Sequence, residues 1–157
     1  MRAAGATHRR RAVLVLQMRK TLIIGLVAAL LAAATAVAAT NTYRGGIRGD
    51  QQSSVTLKVK RGKGNPQVKA FVAKDFLISC RSTEARLESA EITGLVQVTD
   101  KGRFRVTGSS GRQDLEVTGK LIGKQNAKGT VHYSGPTEVD GQNQNCDSGR
   151  LDWRASR

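Results

Sequence analysis

The chain has 157 residues, 39% of them hydrophobic and only 4% aromatic, and its 26 Lys and Arg against 12 Asp and Glu give a formal net charge of +14. A chain of this length makes one domain, and two Cys with two His supply no set of zinc ligands. The basic balance directs attention to anionic partners.

Residues 1–17 read as an extension ahead of the true start. Arg9-Arg10-Arg11 before Ala12-Val13-Leu14 has the outline of a twin-arginine signal. The apolar run then stops at Gln17 and a second charged start begins at Met18, so a start codon placed too early accounts for the segment. Residues 18–39 have the three-part layout of a secretory signal peptide. Met18-Arg19-Lys20 is the charged start, 22–31 an apolar run broken only by Gly25, and Ala36-Val37-Ala38 a small-residue exit. An uncleaved anchor is the rival reading, because 22–39 is 18 residues without a charge. The second half of that stretch is mostly Ala, so its strongly apolar part is about ten residues, which suits a signal better than a span. Cleavage near Ala38 or Ala39 would leave 40–157 as a single secreted domain. A membrane would be met only through that segment left uncleaved, since no Cys precedes Cys80 to carry a lipid.

Six of the Lys and Arg precede the apolar run and all 12 acids follow it, so the remainder carries +8. In an exported protein this favours wall polymers, acidic polysaccharide or lipid head groups. Cys80 and Cys146 are the two cysteines, and in an oxidising compartment a lone pair is most simply one disulfide. Neither sits in a Cys-x-x-Cys motif, which disfavours a redox role.

From Tyr43 onward the dominant period is two, with turn residues every eight to twelve positions. Val55, Leu57 and Val59 alternate with Thr56, Lys58 and Lys60 up to Gly62-Lys63-Gly64-Asn65-Pro66, giving one buried and one basic face. Residues 67–73 form a second strand, and Phe76, Ile78 and Cys80 mark the inward face of a third. Residues 81–84 turn the chain. Residues 86–92 fit one or two helical turns through Leu87, Ala90 and Glu91, but context favours a strand. Residues 95–99 then meet 104–107 across Asp100-Lys101-Gly102-Arg103, where Gly102 supplies a positive φ. Residues 114–122, with Leu115, Val117 and Leu121 inward, run through 123–129 into 130–134. The polar segment 135–149 is long for a hairpin, and binding often resides in such loops. Residues 150–155 close the chain with Leu151, Trp153 and Ala155 on one side. Seven to nine short strands without a convincing helix, preceded by a signal-peptide helix in the leader, predict an all-β antiparallel sandwich or open barrel. The sandwich is preferred because Cys80 and Cys146 would then bridge sheets or tie the last strand's entry to the core.

Several short motifs carry a resemblance: Tyr43-Arg44-Gly45, the Cys80 strand, Gly102-Arg103-Phe104, Ala127-Lys128-Gly129-Thr130, and Cys146-Asp147-Ser148-Gly149 with Trp153. Together the chain resembles small exported bacterial β-sandwich proteins of unassigned function. The resemblance implies a fold and no catalytic residues.

Nucleophilic catalysis needs a base beside the nucleophile and a group that orients it. His132 is the one His after the leader, alternation points it to solvent, and no Gly-x-Ser-x-Gly elbow exists. A glycosidase needs two carboxylates, but nothing marks a pair among the twelve. Asn143, Asn145 and Asp147 loosely resemble a calcium loop, yet Ser148 stands where the motif needs Gly and no Glu closes it. A turn-rich loop pinned by the disulfide is the preferred account, and no catalytic residue, metal ligand or cofactor is expected. The sharpest features are basic. Lys58, Lys60, Arg61 and Lys63 cluster on one strand and its loop. Lys101, Arg103 and Arg105 form a second face, and Lys120, Lys124 and Lys128 a third. Edge-strand lysines also guard against aggregation, which is the competing role. Nucleic acid is not an expected partner, because base stacking needs exposed aromatics and Phe104 points inward. The leading expectation is a non-enzymatic exported basic domain that binds anionic cell-envelope or extracellular polymers. A polysaccharide-active enzyme with paired carboxylates and a structural or accessory surface protein are the alternatives.

Overall fold

The computed structural model describes residues 39–157 except Ser82; the expected extension at 1–17 and the leader up to residue 38 lie outside the described residues. These residues form nine strands: β1 (Ala39–Ile47), β2 (Ser54–Arg61), β3 (Gln67–Cys80), β4 (Glu84–Gln97), β5 (Arg103–Ser110), β6 (Gln113–Ile122), β7 (Asn126–Val139), β8 (Gln142–Asp147) and β9 (Leu151–Ser156). Every pairing is antiparallel. The strands belong to one hydrogen-bonded sheet in the order β4-β3-β2-β1-β9-β7-β6-β5, with β8 bridging β3 and β7. Among the described residues no helix is long and apolar enough to cross a membrane.

Alternation explains the elements. In β2, Val55, Leu57 and Val59 are buried while Lys58 and Lys60 are exposed, because successive side chains leave a strand on opposite faces. The ambiguous segment 86–92 is part of β4: Ala90 and Ile92 are buried between exposed Ser89, Glu91 and Thr93, and the half-buried Leu87 precedes a break in alternation at Glu88-Ser89. Where alternation breaks, the strands run on rather than end. The stretch expected as two strands, 67–73 and 76–80, is the single strand β3. Asp75 takes a positive φ of 54° there, so Ala73 and Phe76 both point inward, while the register against β4 is unchanged across it, Lys74 facing Ser89 and Phe76 facing Leu87.

Two expectations about turns are corrected. Residues 95–99 do not form a hairpin with 104–107: only the turn is bonded, through Gly102 N to Thr99 O and Thr99 N to Arg103 O. Beyond it β4 stays on β3 and β5 on β6, while the amide of buried Val98 is held by Pro66 O. Gly102 does adopt the positive φ expected of it, 76°. The polar segment 135–149 is not an open loop. It completes β7, turns at Asp140-Gly141 with φ values of 52° and 74°, and returns as β8. Positive φ at both central residues is the geometry of a type I′ hairpin.

Inward residues of all nine strands build one core. Trp153 sits within it, 5.3 Å from the Phe71 ring and 6.4 Å from Phe104. Gly119 on β6 makes room for it, and Gly129 lies opposite Gly119 on β7 against the β6 backbone. A Cβ at Gly119 would lie 2.3 Å from the Phe104 ring and 2.9 Å from Trp153, and one at Gly129 would lie 1.9 Å from Thr118 O. Cys80 and Cys146 are directly opposite on β3 and β8, with Cα atoms 4.1 Å apart, and are joined as the disulfide expected from the sequence. The bond closes a chain segment with a sequence separation of 66. On the loop-entropy estimate that stabilises the fold by roughly 4 kcal/mol.

Candidate functional site

The strands that hold Trp153 carry cations on their other face. The β6–β7 hairpin turns around Lys124, which sets Lys120 opposite Lys128. The β5–β6 pairing sets Arg103 opposite Lys120, and the β7–β9 pairing sets Lys128 opposite Arg154. Four exposed cations from four adjacent strands therefore stand in one row across the sheet: Arg103, Lys120, Lys128 and Arg154. The row ends on β1 at Gly46, opposite Arg154, with Arg44 and Arg48 two residues to either side.

The next row along the strands is mixed. It holds Arg105, Thr118, Thr130 and Asp152, with the two threonine hydroxyls hydrogen-bonded at 2.8 Å. Arg48 N donates to Asp152 O at 2.7 Å and so extends the β1–β9 ladder to this row. One row further stand Thr107, Glu116 and His132. The outer face thus grades from a row of cations to mixed rows in which Glu116 is ion-paired to Arg105.

The basic rows wall a groove of about 500 Å³, in which Asp152 is the one acidic residue against Arg48, Arg103, Lys120, Lys128 and Arg154. A second groove of about 450 Å³ adjoins it, sharing Lys128 and Arg154 and adding Arg44, Ile122 and the backbone flank of Ala127 and Ala155. Among the described residues the only ion pairs are Arg86–Asp50, Arg105–Glu116 and His132–Asp147. The groove cations therefore have no carboxylate partner within ion-pair distance. Directly opposed like charges on a sheet each destabilise it by up to about 1 kcal/mol, so the row holds uncompensated repulsion that an anion would relieve.

The residues singled out from the sequence divide. Arg103 is the first rung of the row, and Lys120 and Lys128 are its middle. Arg105 stands one row away and is held 3.1 Å from Glu116. Lys58 and Lys60 are exposed on β2, opposite Thr42 and Thr40, on the half of the sheet beyond β1. Arg61 turns into the structure: its guanidinium donates to Tyr43 Oη at 2.8 Å and to Gly123 O at 3.3 Å. The loops of Lys63 and Lys101 are neighbours, joined by Asn65 Nδ2 to Asp100 Oδ1 at 2.8 Å. Arg154, Arg48 and Arg44 were missed. Each lies on the outer face of its strand, a signal present in the alternation, but only the pairing of β9 with both β1 and β7 brings them to the row.

His132 faces outward and its Nε2 lies 3.1 Å from both Asp147 carboxylate oxygens. The Asp147 carboxyl is held below the usual aspartate value, first by the Gly149 amide at 2.6 Å and then by His132. The neighbouring Ser148 hydroxyl is engaged with backbone: it accepts from Tyr133 N at 2.9 Å and donates to Gly149 O at 2.8 Å. Asn143, Asn145 and Asp147, which loosely resemble a calcium loop in sequence, lie along β8, and no metal-binding cluster of three His, Cys, Asp or Glu occurs among the described residues.

No protein-family model, curated protein or solved structure matches the chain.

Proposed function

We propose that this is an exported, non-enzymatic β domain that binds anionic polymers of the cell envelope or extracellular space. On this reading the sheet folds into the two facing layers of a sandwich, and residues 18–39 are the leader that exports it. The leader's layout and the Cys80–Cys146 bond support an oxidising, extracytoplasmic setting. The observation that carries the binding function is the unpartnered row Arg103, Lys120, Lys128 and Arg154. Solubility is served by interspersed charges of both signs, whereas four like charges placed directly opposite one another spend stability on a concentrated positive field.

Retention on a polyanion resin tests this. The protein binds at low salt and is released as salt rises, since the contacts are screened charges. Replacing Lys120, Lys128 and Arg154 together by Gln lowers the eluting salt far more than replacing Lys58 and Lys60. Equal elution of the two variants, or no retention of the wild type, would overturn the assignment.

A further inference from the structure

The spacing and composition of the groove specify the polymer further, on the premise that it binds polyanions at all. We infer that its ligand class is a linear acidic glycan with one carboxylate on each sugar unit, laid across the strands rather than along them. Neighbouring strands lie about 4.8 Å apart, so the four cations repeat at that interval. This is close to the length of one pyranose unit in an extended chain. Successive sugars of an extended chain turn their carboxylates to different sides, so alternate carboxylates face the row and the long Arg and Lys stems share them in pairs, Arg103 with Lys120 and Lys128 with Arg154.

The row beside the cations distinguishes a sugar from a polymer that is only charged. Thr118 and Thr130 present hydroxyls at 2.8 Å from each other, and Asp152 stands next to them in the same row. An ionised carboxylate only accepts hydrogen bonds. It suits the hydroxyls of a sugar and repels a chain whose exposed groups are all anionic oxygens. The adjoining groove adds Ile122, exposed at 43%, as an apolar surface for the C–H face of a ring. Nucleobases find no platform, because Tyr43, Phe71, Phe76, Phe104, Tyr133 and Trp153, the six aromatics of the chain, are all buried.

Calorimetric titration with galacturonate oligomers of one to eight units tests the inference, with tetrapolyphosphate and a fully methyl-esterified tetramer in parallel. Affinity should climb steeply to four units and flatten beyond, and the neutral ester should not bind. Lys128→Gln should weaken the tetramer about tenfold, the loss of one charge-assisted contact. Asp152→Asn should weaken the tetramer while strengthening tetrapolyphosphate. Urea midpoints of both variants establish that they remain folded. If tetrapolyphosphate binds as tightly as the uronate, or affinity rises without a break past four units, the glycan assignment fails and general polyanion binding stands. If neither charged ligand binds, both fall together.

Discussion

Reversing one charge in the row should make the domain more stable and less able to bind. Lys128 stands directly opposite Lys120 on one side and Arg154 on the other. At about 0.5 kcal/mol for each directly opposed like pair, Lys128→Gln removes two repulsions and gains about 1 kcal/mol. Lys128→Glu replaces them by two attractions and gains about 2 kcal/mol. For a domain of this size each kcal/mol raises the Tm by roughly 4 °C, so the Glu variant should melt about 8 °C higher at low ionic strength. Lys, Gln and Glu differ little in strand propensity, which leaves charge as the variable. The assay is thermal and urea unfolding at low salt and again near 1 M salt, where the Debye length is about 3 Å. The gain should largely vanish at high salt, while retention on a polyanion is reduced in both variants. A Lys128→Glu protein no more stable than wild type at low salt, or one whose gain persists at high salt, would refute the reasoning.

The acid limb of stability should follow two aspartates. Asp50 is held below its usual value chiefly by hydrogen bonds from Arg86, and Asp147 chiefly by the Gly149 amide. A carboxyl depressed in the folded state contributes stability that is complete above the unfolded value near 4 and is lost as pH falls through the folded value. The urea midpoint should therefore decline below about pH 4, and Asp50→Asn should flatten that decline; an unchanged slope would remove Asp50 as a cause. The close approach beneath the groove is tested by Gly129→Ala, whose methyl would meet Thr118 O at 1.9 Å. It should destabilise by about 3 kcal/mol or more, whereas Gly111→Ala, in open space with φ of 64°, should lose only about 1 kcal/mol to backbone strain. Similar urea midpoints for the two variants would contradict the packing argument.

Strand existence was legible wherever one face is buried, because Val55, Leu57 and Val59 or Leu115, Val117 and Leu121 repeat at period two. The inward sulfur of Cys80 followed from the same pattern. What failed was continuity. Asp75 and Gly94 interrupt the alternation and read as breaks, yet β3 and β4 run through them as 14-residue strands. The β7–β8 hairpin carried a short-range sign in Asp140-Gly141, a pair suited to a type I′ turn. Its flanks, Thr137-Glu138-Val139 and Gln142-Asn143-Gln144, offer Val139 as their one apolar residue, so the sign had little hydrophobic support. In the site, Arg103, Lys120 and Lys128 were visible as basic positions but assigned to two separate faces. Two successive hairpins place them in one row; Arg154 joins only through β9, which pairs with β1 and β7, far away in sequence.

The position of the row follows from the core beneath it. Strands β6, β7 and β9 place Gly119, Gly129 and Trp153 inward, and the intervening positions place Lys120, Lys128 and Arg154 outward. The buried indole, packed against Phe71 and Phe104, fixes the backbone from below. At Gly129 that backbone has no space for even a methyl group. On the proposed polyanion-binding reading, cations anchored on a backbone so constrained keep their spacing before a ligand arrives, which would confine the ordering lost on binding to the side chains themselves. Lys and Arg stems remain free to adjust, so on that reading the backbone sets the side and the length of the row, and the stems accommodate the ligand's own charge spacing. A bulge inserted into β7 ahead of Lys128 would shift its register and move that cation to the inner face. It would disrupt the core and the row in the same step, because alternation makes them two sides of one arrangement.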